Sequence, residues 1–198
     1  EAAGLKTTVM DVESYAALTA FEMMKGAATG IESKDITAIV DVGAQTTRVI
    51  VMHEDQQIYS REQQLGGYQL TQDISRQFGM PIEEAEVAKK SGGLPDNYGP
   101  DVLHPFNEKV VLEITRALQF FFTSTQFNKV DHVVISGGCA TLDGLEEMVA
   151  QRTQVHTVIA NPFANMALSS KIKPRQLTID APALMVACGL AMRRFDPA

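Results

Sequence analysis

From residue 36 to residue 61 the apolar positions fall into three short blocks separated by polar turns. Ile36-Thr37-Ala38-Ile39-Val40-Asp41 predicts a buried strand, Arg48-Val49-Ile50-Val51-Met52 a second and Gln57-Ile58-Tyr59-Ser60-Arg61 a third. Such runs of β-branched residues suit a pleated, packed surface. The linkers Gly43-Ala44-Gln45 and His53-Glu54-Asp55-Gln56 are short enough for antiparallel turns. Around this block the period changes from two to that of a helix. Residues 11–25 carry a rough apolar stripe ending at Gly26, and Leu70, Ile74 and Phe78 recur at four-residue spacing over a helix from Tyr68 to Phe78, stopped by Gly79 and Pro81. A further helix follows Pro81, with Glu83, Glu84 and Glu86 early and Lys89-Lys90 late, the charge order a helix dipole favours.

The second half alternates helix with strand. Residues 91–100 compose a loop, 107–128 the longest helix, His132-Val133-Val134-Ile135-Ser136 a buried strand and 142–152 a helix. Thr157-Val158-Ile159 is a short strand, 161–174 is irregular with room for one short turn of helix, and a helix from Pro182 to Arg194 closes the chain. Three strands followed by strand–helix alternation predict an α/β fold, a mixed sheet flanked by helices. Open sheets of this class bind ligands at the carboxyl ends of their strands.

Composition narrows the function. A formal net charge of −7 and the absence of any basic run argue against binding a nucleic-acid backbone. The most apolar stretch, 181–192, is too short to span a bilayer, so no direct membrane insertion is expected. Cys139 and Cys188 are expected to be reduced thiols, with no second ligand at metal spacing. His53, His104, His132 and His156 share no pattern and read as structural or surface residues, and the five phenylalanines between 106 and 127 read as core. Neither a P-loop nor a Ser/His/Asp nucleophile motif is present.

Three segments carry candidate chemistry. In Asp41-Val42-Gly43-Ala44-Gln45-Thr46-Thr47, Gly43 allows close backbone approach to a phosphate, successive N–H groups can form an anion concavity, Thr46 and Thr47 add hydroxyls, and Asp41 could hold magnesium through water. The same residues also make a plain hairpin turn. In Ile135-Ser136-Gly137-Gly138-Cys139-Ala140, a strand delivers two glycines at its carboxyl end, suited either to a nucleotide or to a turn requiring positive φ. Third come Gly66-Gly67 at a helix start and Glu86 on one face with Lys89 and Lys90. That pair could grip the two ribose hydroxyls or be a solvated ion pair stabilising by about 0.3 kcal/mol.

The order and spacing of these segments resemble the actin, Hsp70 and hexokinase superfamily and, within it, the FtsA-like branch that includes the PilM proteins of type IV pilus assembly. Residues 41–47 resemble its second phosphate loop, 136–140 its adenosine loop, Gly66-Gly67 through Lys89 its ribose-facing stretch, and 11–21 its crossover helix. The ending Val186-Ala187-Cys188-Gly189-Leu190-Ala191-Met192-Arg193 is similar to those of the same family. The resemblance runs from about residue 3 to residue 195. It implies an actin-like ATPase fold in which residues 1–30 are the crossover helix and a remnant of the first half. Residues 31–198 would be the second half, with a small inserted subdomain at about 80–106.

For the site, the resemblance implies ATP with Mg2+, contacts from Gly43, Ala44, Gln45, Thr46, Thr47, Gly66, Gly67, Glu86, Lys89, Gly137, Gly138 and Cys139, and Asp41 at the metal. It further implies a cytoplasmic scaffold, peripheral to the inner-membrane assembly complex. That scaffold would engage the cytoplasmic tail of PilN, largely through the first half, along with other pilus assembly proteins. Nothing before Asp11 supplies a first phosphate loop, so the chain is expected to be the C-terminal portion of a longer protein with negligible hydrolysis of its own. A kinase of the same superfamily and a filament-forming FtsA-like protein are the alternatives.

Overall fold

Residues on each central strand point alternately to two separate apolar clusters, and this alternation defines the layers. A computed structural model describes residues 3, 4, 6, 7, 9–26 and 29–195. Residues 1, 2, 5, 8, 27 and 28 of the expected 1–30 unit, and 196–198 of the expected 31–198 unit, lie outside the described residues. The sheet is built from β1 (Thr37–Val42), β2 (Thr47–His53), β3 (Gln56–Gln63), β4 (His132–Ser136) and β5 (His156–Ile159). Ala38, Val40 and Val42 of β1, Val49 and Val51 of β2, and Val133 and Ile135 of β4 enter one cluster. Ile39, Ile50, Met52 and Val134 enter the other.

The helices close both faces. The first cluster is covered by α2 (Gly67–Phe78), α3 (Ile82–Ser91), α4 (His104–Ser124) and α5 (Leu145–Thr153), which supply Leu70, Ile74, Ala85, Phe106, Phe121 and Leu145 among others. The second is covered by α1 (Glu13–Met24) and α7 (Met185–Met192), through Phe21, Met24, Met185 and Cys188. The result is helix, sheet, helix in three layers, a mixed sheet flanked by helices as expected.

The strand order is β3-β2-β1-β4-β5. β1 pairs antiparallel with β2 and parallel with β4, in register Thr37↔His132 through Asp41↔Ser136. β4 pairs parallel with β5. The parallel centre brings the carboxyl ends of β1 and β4 side by side, and with them the two glycine-bearing loops.

Three segments differ from the sequence reading. The longest helix starts earlier than residue 107, in a wide π turn at Gly99–Leu103 that runs directly into α4. Pro105 has no N–H to give the carbonyl four residues back, so the ladder widens there, and the His104 N–H reaches Gly99 instead. A short helix, α6 (Pro174–Asp180), fills the residues between the irregular 161–174 and the expected closing helix, to which the sequence assigns no element. The closing helix is divided into a 3-10 turn at Ala181–Leu184, α7, and a second 3-10 turn at Arg193–Phe195.

α1 and α7 pack against each other at very close range. A Cβ on Gly189 would fall inside the Ala16 carbonyl group. Glycine there allows backbone-to-backbone helix contact.

Candidate functional site

The two glycine loops meet at the sheet's carboxyl edge and are stitched together by backbone hydrogen bonds. The Cys139 N–H donates to the Val42 carbonyl at 3.1 Å, and the Cys139 thiol reaches the Gly43 carbonyl at 3.7 Å. Gly137 adopts φ +90°, and a Cβ there would lie 2.7 Å from the Val42 carbonyl carbon and 2.8 Å from Asp41 Oδ1. Gly137 is therefore glycine for the fold's own reasons. Gly138 has no such reason: its backbone is not left-handed, and a Cβ would meet nothing within 4 Å. It lines the cavity described next.

A cavity of about 750 Å³ occupies this edge. Gly43, Ala44, Gly67, Glu86, Lys89, Gly137, Gly138 and Cys139 all line it. Gly43 and Gly137 thus share one cleft, and Glu86 and Lys89 both border it. The volume lies within the range of small-molecule sites. Among the described residues, no backbone carbonyl accepts from the Ala44, Gln45 or Gly138 amides. Unpaired N–H groups at a glycine turn are the donors a phosphate requires.

Other expected contacts are placed differently. Gln45, Thr46, Thr47, Gly66 and Asp41 are not among the residues lining the cavity. Thr47 is buried, and its hydroxyl donates to the Leu65 carbonyl at 2.7 Å, so it holds the strand end rather than a ligand. The Thr46 carbonyl accepts the Gly43 N–H at 2.9 Å and closes the turn, and the Gln45 side chain is exposed to solvent. Gly66 packs on the turn from behind, where a Cβ would sit 2.6 Å from the Ala44 carbonyl carbon. Gly66 lets α2 abut the loop instead of touching a ligand.

Asp41, next to last in β1, lies against the Gly137 turn and accepts a hydrogen bond from the Ser136 hydroxyl at 3.1 Å. Burial pushes its carboxyl above the ordinary range, and the Ser136 bond offsets part of that rise. A carboxylate kept from water gains more from a cation than an exposed one does. Among the described residues no group of three or more His, Cys, Asp or Glu side chains is placed to hold a metal ion. Magnesium bound through one carboxylate, water and phosphate needs no such group. Burial also pushes the Cys139 thiol up, so the cavity wall there is a neutral SH.

Glu86 and Lys89 are not a solvated pair. Lys89 is mostly enclosed and donates to Glu86 Oε2 at 2.7 Å, to Thr71 Oγ1 at 2.7 Å and to the Gly67 carbonyl at 3.1 Å. Lys90 Nζ meets the other carboxylate oxygen at 2.8 Å. Burial alone would raise the Glu86 carboxyl, but hydrogen bonds from Lys89, Lys90 and Thr71 outweigh it and hold the pKa at about 2.

Further lining residues are not among the contacts expected from the sequence: Tyr68, Thr141, Lys90, which entered only as a neighbour of Glu86, and Gln176, Ile179 and Asp180. The last three come from α6, which has no buried residue and hence no apolar period to announce it. Pro174 at its first turn was the available signal. Two of the histidines expected to be structural or surface residues are neighbours. His132 and His156 are opposite each other on β4 and β5, with rings 5.6 Å apart edge to face, and His132 Nε2 lies 3.3 Å from Asp35.

Comparison with known proteins bears on this arrangement. The solved PilM-PilN type IV pilus biogenesis complex contains a chain 28% identical to this one, with a TM-score of 0.81 over 98% of this chain and 55% of that one. The ethanolamine utilization protein EutJ of Carboxydothermus hydrogenoformans matches at 22% identity and TM-score 0.64, over 91% of this chain and 53% of that one. Ta0583, an archaeal actin homolog solved in complex with ADP, matches at 21% identity and TM-score 0.61, over 90% and 56%. The EutJ protein of Salmonella typhimurium (strain LT2) is 26% identical over 125 residues, 62% of this chain and 41% of that protein. The chain therefore spans about half the length of the solved relatives, and its fold is that of the actin-like ATPases. The family described as type IV pilus assembly protein PilM matches residues 1–195, so the chain belongs to that family.

Proposed function

We propose that this chain is the second half of an ATP clamp in a cytoplasmic type IV pilus scaffold, peripheral to the inner membrane. Its cavity would take the nucleotide, and closure on ATP would be read by partner proteins. One observation carries the reading. Gly138 is a glycine with open space where a Cβ would go, at the carboxyl end of β4, and it lines a nucleotide-sized cavity. Gly43 and Ala44 would face the phosphates, Gly137, Gly138 and Cys139 the adenosine, and Glu86 the ribose. Residues 80–106 would act as a small cap within the 31–198 half. Asp41 would meet magnesium through water, an ion that neutralises phosphate charge when bound. The cytoplasmic tail of PilN is the proposed partner, since a solved relative is a PilM-PilN complex, together with other pilus assembly proteins. Among the described residues, no helix is long and apolar enough to cross a membrane.

Closure of this kind is a population shift driven by preferential binding to the closed form. In the full-length protein, Asp41→Ala should weaken ATP binding and PilN recruitment together while the protein stays folded. Calorimetric titration with magnesium and ATP, paired with a pull-down on the PilN tail, reads both. A folded Asp41→Ala variant that loses ATP yet retains every partner contact would make the protein a passive adaptor.

A further inference from the structure

Lys89 lines the cavity, yet its ammonium is committed inside the protein. An ammonium has three N–H donors. Here they meet three acceptors: the Gly67 carbonyl at 3.1 Å, Thr71 Oγ1 at 2.7 Å and Glu86 Oε2 at 2.7 Å. Thr71 is fully buried, with its hydroxyl 3.0 Å from the Gly67 carbonyl and 2.6 Å from Glu86 Oε2. A positive charge at a helix N-terminus opposes the helix dipole, so Lys89 beside the start of α2 depends on these acceptors.

Gly67 is gripped from two sides. While Lys89 holds its carbonyl, its own N–H donates to the Gly43 carbonyl at 2.9 Å, and the next amide, of Tyr68, donates to the Ala44 carbonyl at 2.7 Å. Those two carbonyls belong to the β1–β2 turn. A hydrogen-bonded chain therefore runs from α3 through α2 to the loop assigned to phosphate. Glu86 is situated differently. Among the described residues its Oε1 meets the exposed Lys90 alone, and the side chain is 37% exposed, leaving acceptor capacity toward the cavity.

We propose that Lys89 is a positioning residue. With Thr71 it fixes the Gly67 peptide, and through the Gly67 and Tyr68 amides it sets the 43–46 turn, while contact with sugar hydroxyls falls to Glu86 alone. This rests on the nucleotide reading of the cavity, and it replaces the symmetrical ribose grip by Glu86 and Lys89.

The test compares Lys89→Met, Thr71→Val and Glu86→Gln in the full-length protein. Two measurements are made: hydrogen exchange of the Gly67 and Tyr68 amides without nucleotide, and affinities for ATP, 3′-deoxy-ATP and inorganic tripolyphosphate. Lys89→Met and Thr71→Val should each speed exchange at those amides. Each should also weaken ATP and tripolyphosphate alike, by about tenfold for a lost bond to a charged group, and leave the ATP to 3′-deoxy-ATP ratio unchanged. Glu86→Gln should lower that ratio and spare tripolyphosphate. Thr71→Val keeps the side-chain shape, so it stands in if Lys89→Met fails to fold. Unchanged exchange in Lys89→Met, with loss of hydroxyl discrimination and normal tripolyphosphate binding, overturns the proposal. If the unaltered protein binds neither nucleotide nor tripolyphosphate, the nucleotide reading falls, and the exchange rates still decide whether Lys89 holds the turn.

Discussion

Two adjacent glycines in this chain are glycine for different reasons, and the difference is measurable. Gly137 sits at positive φ against the end of β1, so Gly137→Ala should strain the backbone and crowd Val42 and Asp41. The expected loss is on the order of 2–3 kcal/mol of stability. Gly138 has open space where a Cβ would go. Gly138→Val should leave thermal unfolding close to that of the parent and still abolish ATP binding, because the branched side chain fills ligand space. A thermal scan and an ATP titration on both variants give the comparison. A Gly138→Val protein that binds ATP normally would remove the main support for the nucleotide site. At this same scale, Thr47 shows how residue type misleads: a hydroxyl in a glycine turn suits phosphate, but its O–H is used on the Leu65 carbonyl.

At the scale of elements, the join between α2 and α3 is electrostatic and therefore pH-dependent. Ala85 is the one buried side chain α3 offers, so its hold on α2 leans on Glu86, Lys89 and Thr71. The folded protein holds the Glu86 pKa at about 2, below the ordinary 4.5. A carboxyl with a depressed folded pKa contributes stability above its unfolded pKa and loses it as pH falls. The contribution should thus be complete above pH 4.5 and vanish as pH approaches about 2. Because the side chain is partly exposed, solvent screening reduces its size. Denaturant titrations across that window should show a shallower acid-side loss for Glu86→Gln than for the parent. Parallel pH curves would mean that the ion pair adds nothing to the α2–α3 join.

For the whole molecule, α1 and α7 meet at Ala16 and Gly189 with no room for a Cβ between them. Both helices cover the same sheet face through one apolar cluster. Gly189→Val must push the helices apart and open that cluster, an expected cost on the order of 3 kcal/mol. Thermal unfolding should show a matching fall in midpoint. Gly137, which lines the cavity, donates its N–H to the Pro182 carbonyl just before α7. Displacing α7 should therefore also loosen the adenosine-side loop. A Gly189→Val variant as stable as the parent would show that α1 and α7 slide freely.

The five strands and the helices with an apolar period were legible in the chain itself, because periodicity of side chains is a local property and each face had a core to fill. So were the loops 41–47 and 136–140, since glycine next to a buried strand end marks a sharp turn whatever its use. Local pattern could not show α6, which buries nothing, or the π turn at Gly99–Leu103 that leads into α4. It could not divide Gly137 from Gly138 either, or assign Thr47, Gly66 and Lys89 to neighbours 18, 22 and 22 positions away in the chain. Those roles depend on which carbonyl or open space lies across the fold. That is settled only when β1 and β4 lie in register and α2 is set down on the turn between β1 and β2.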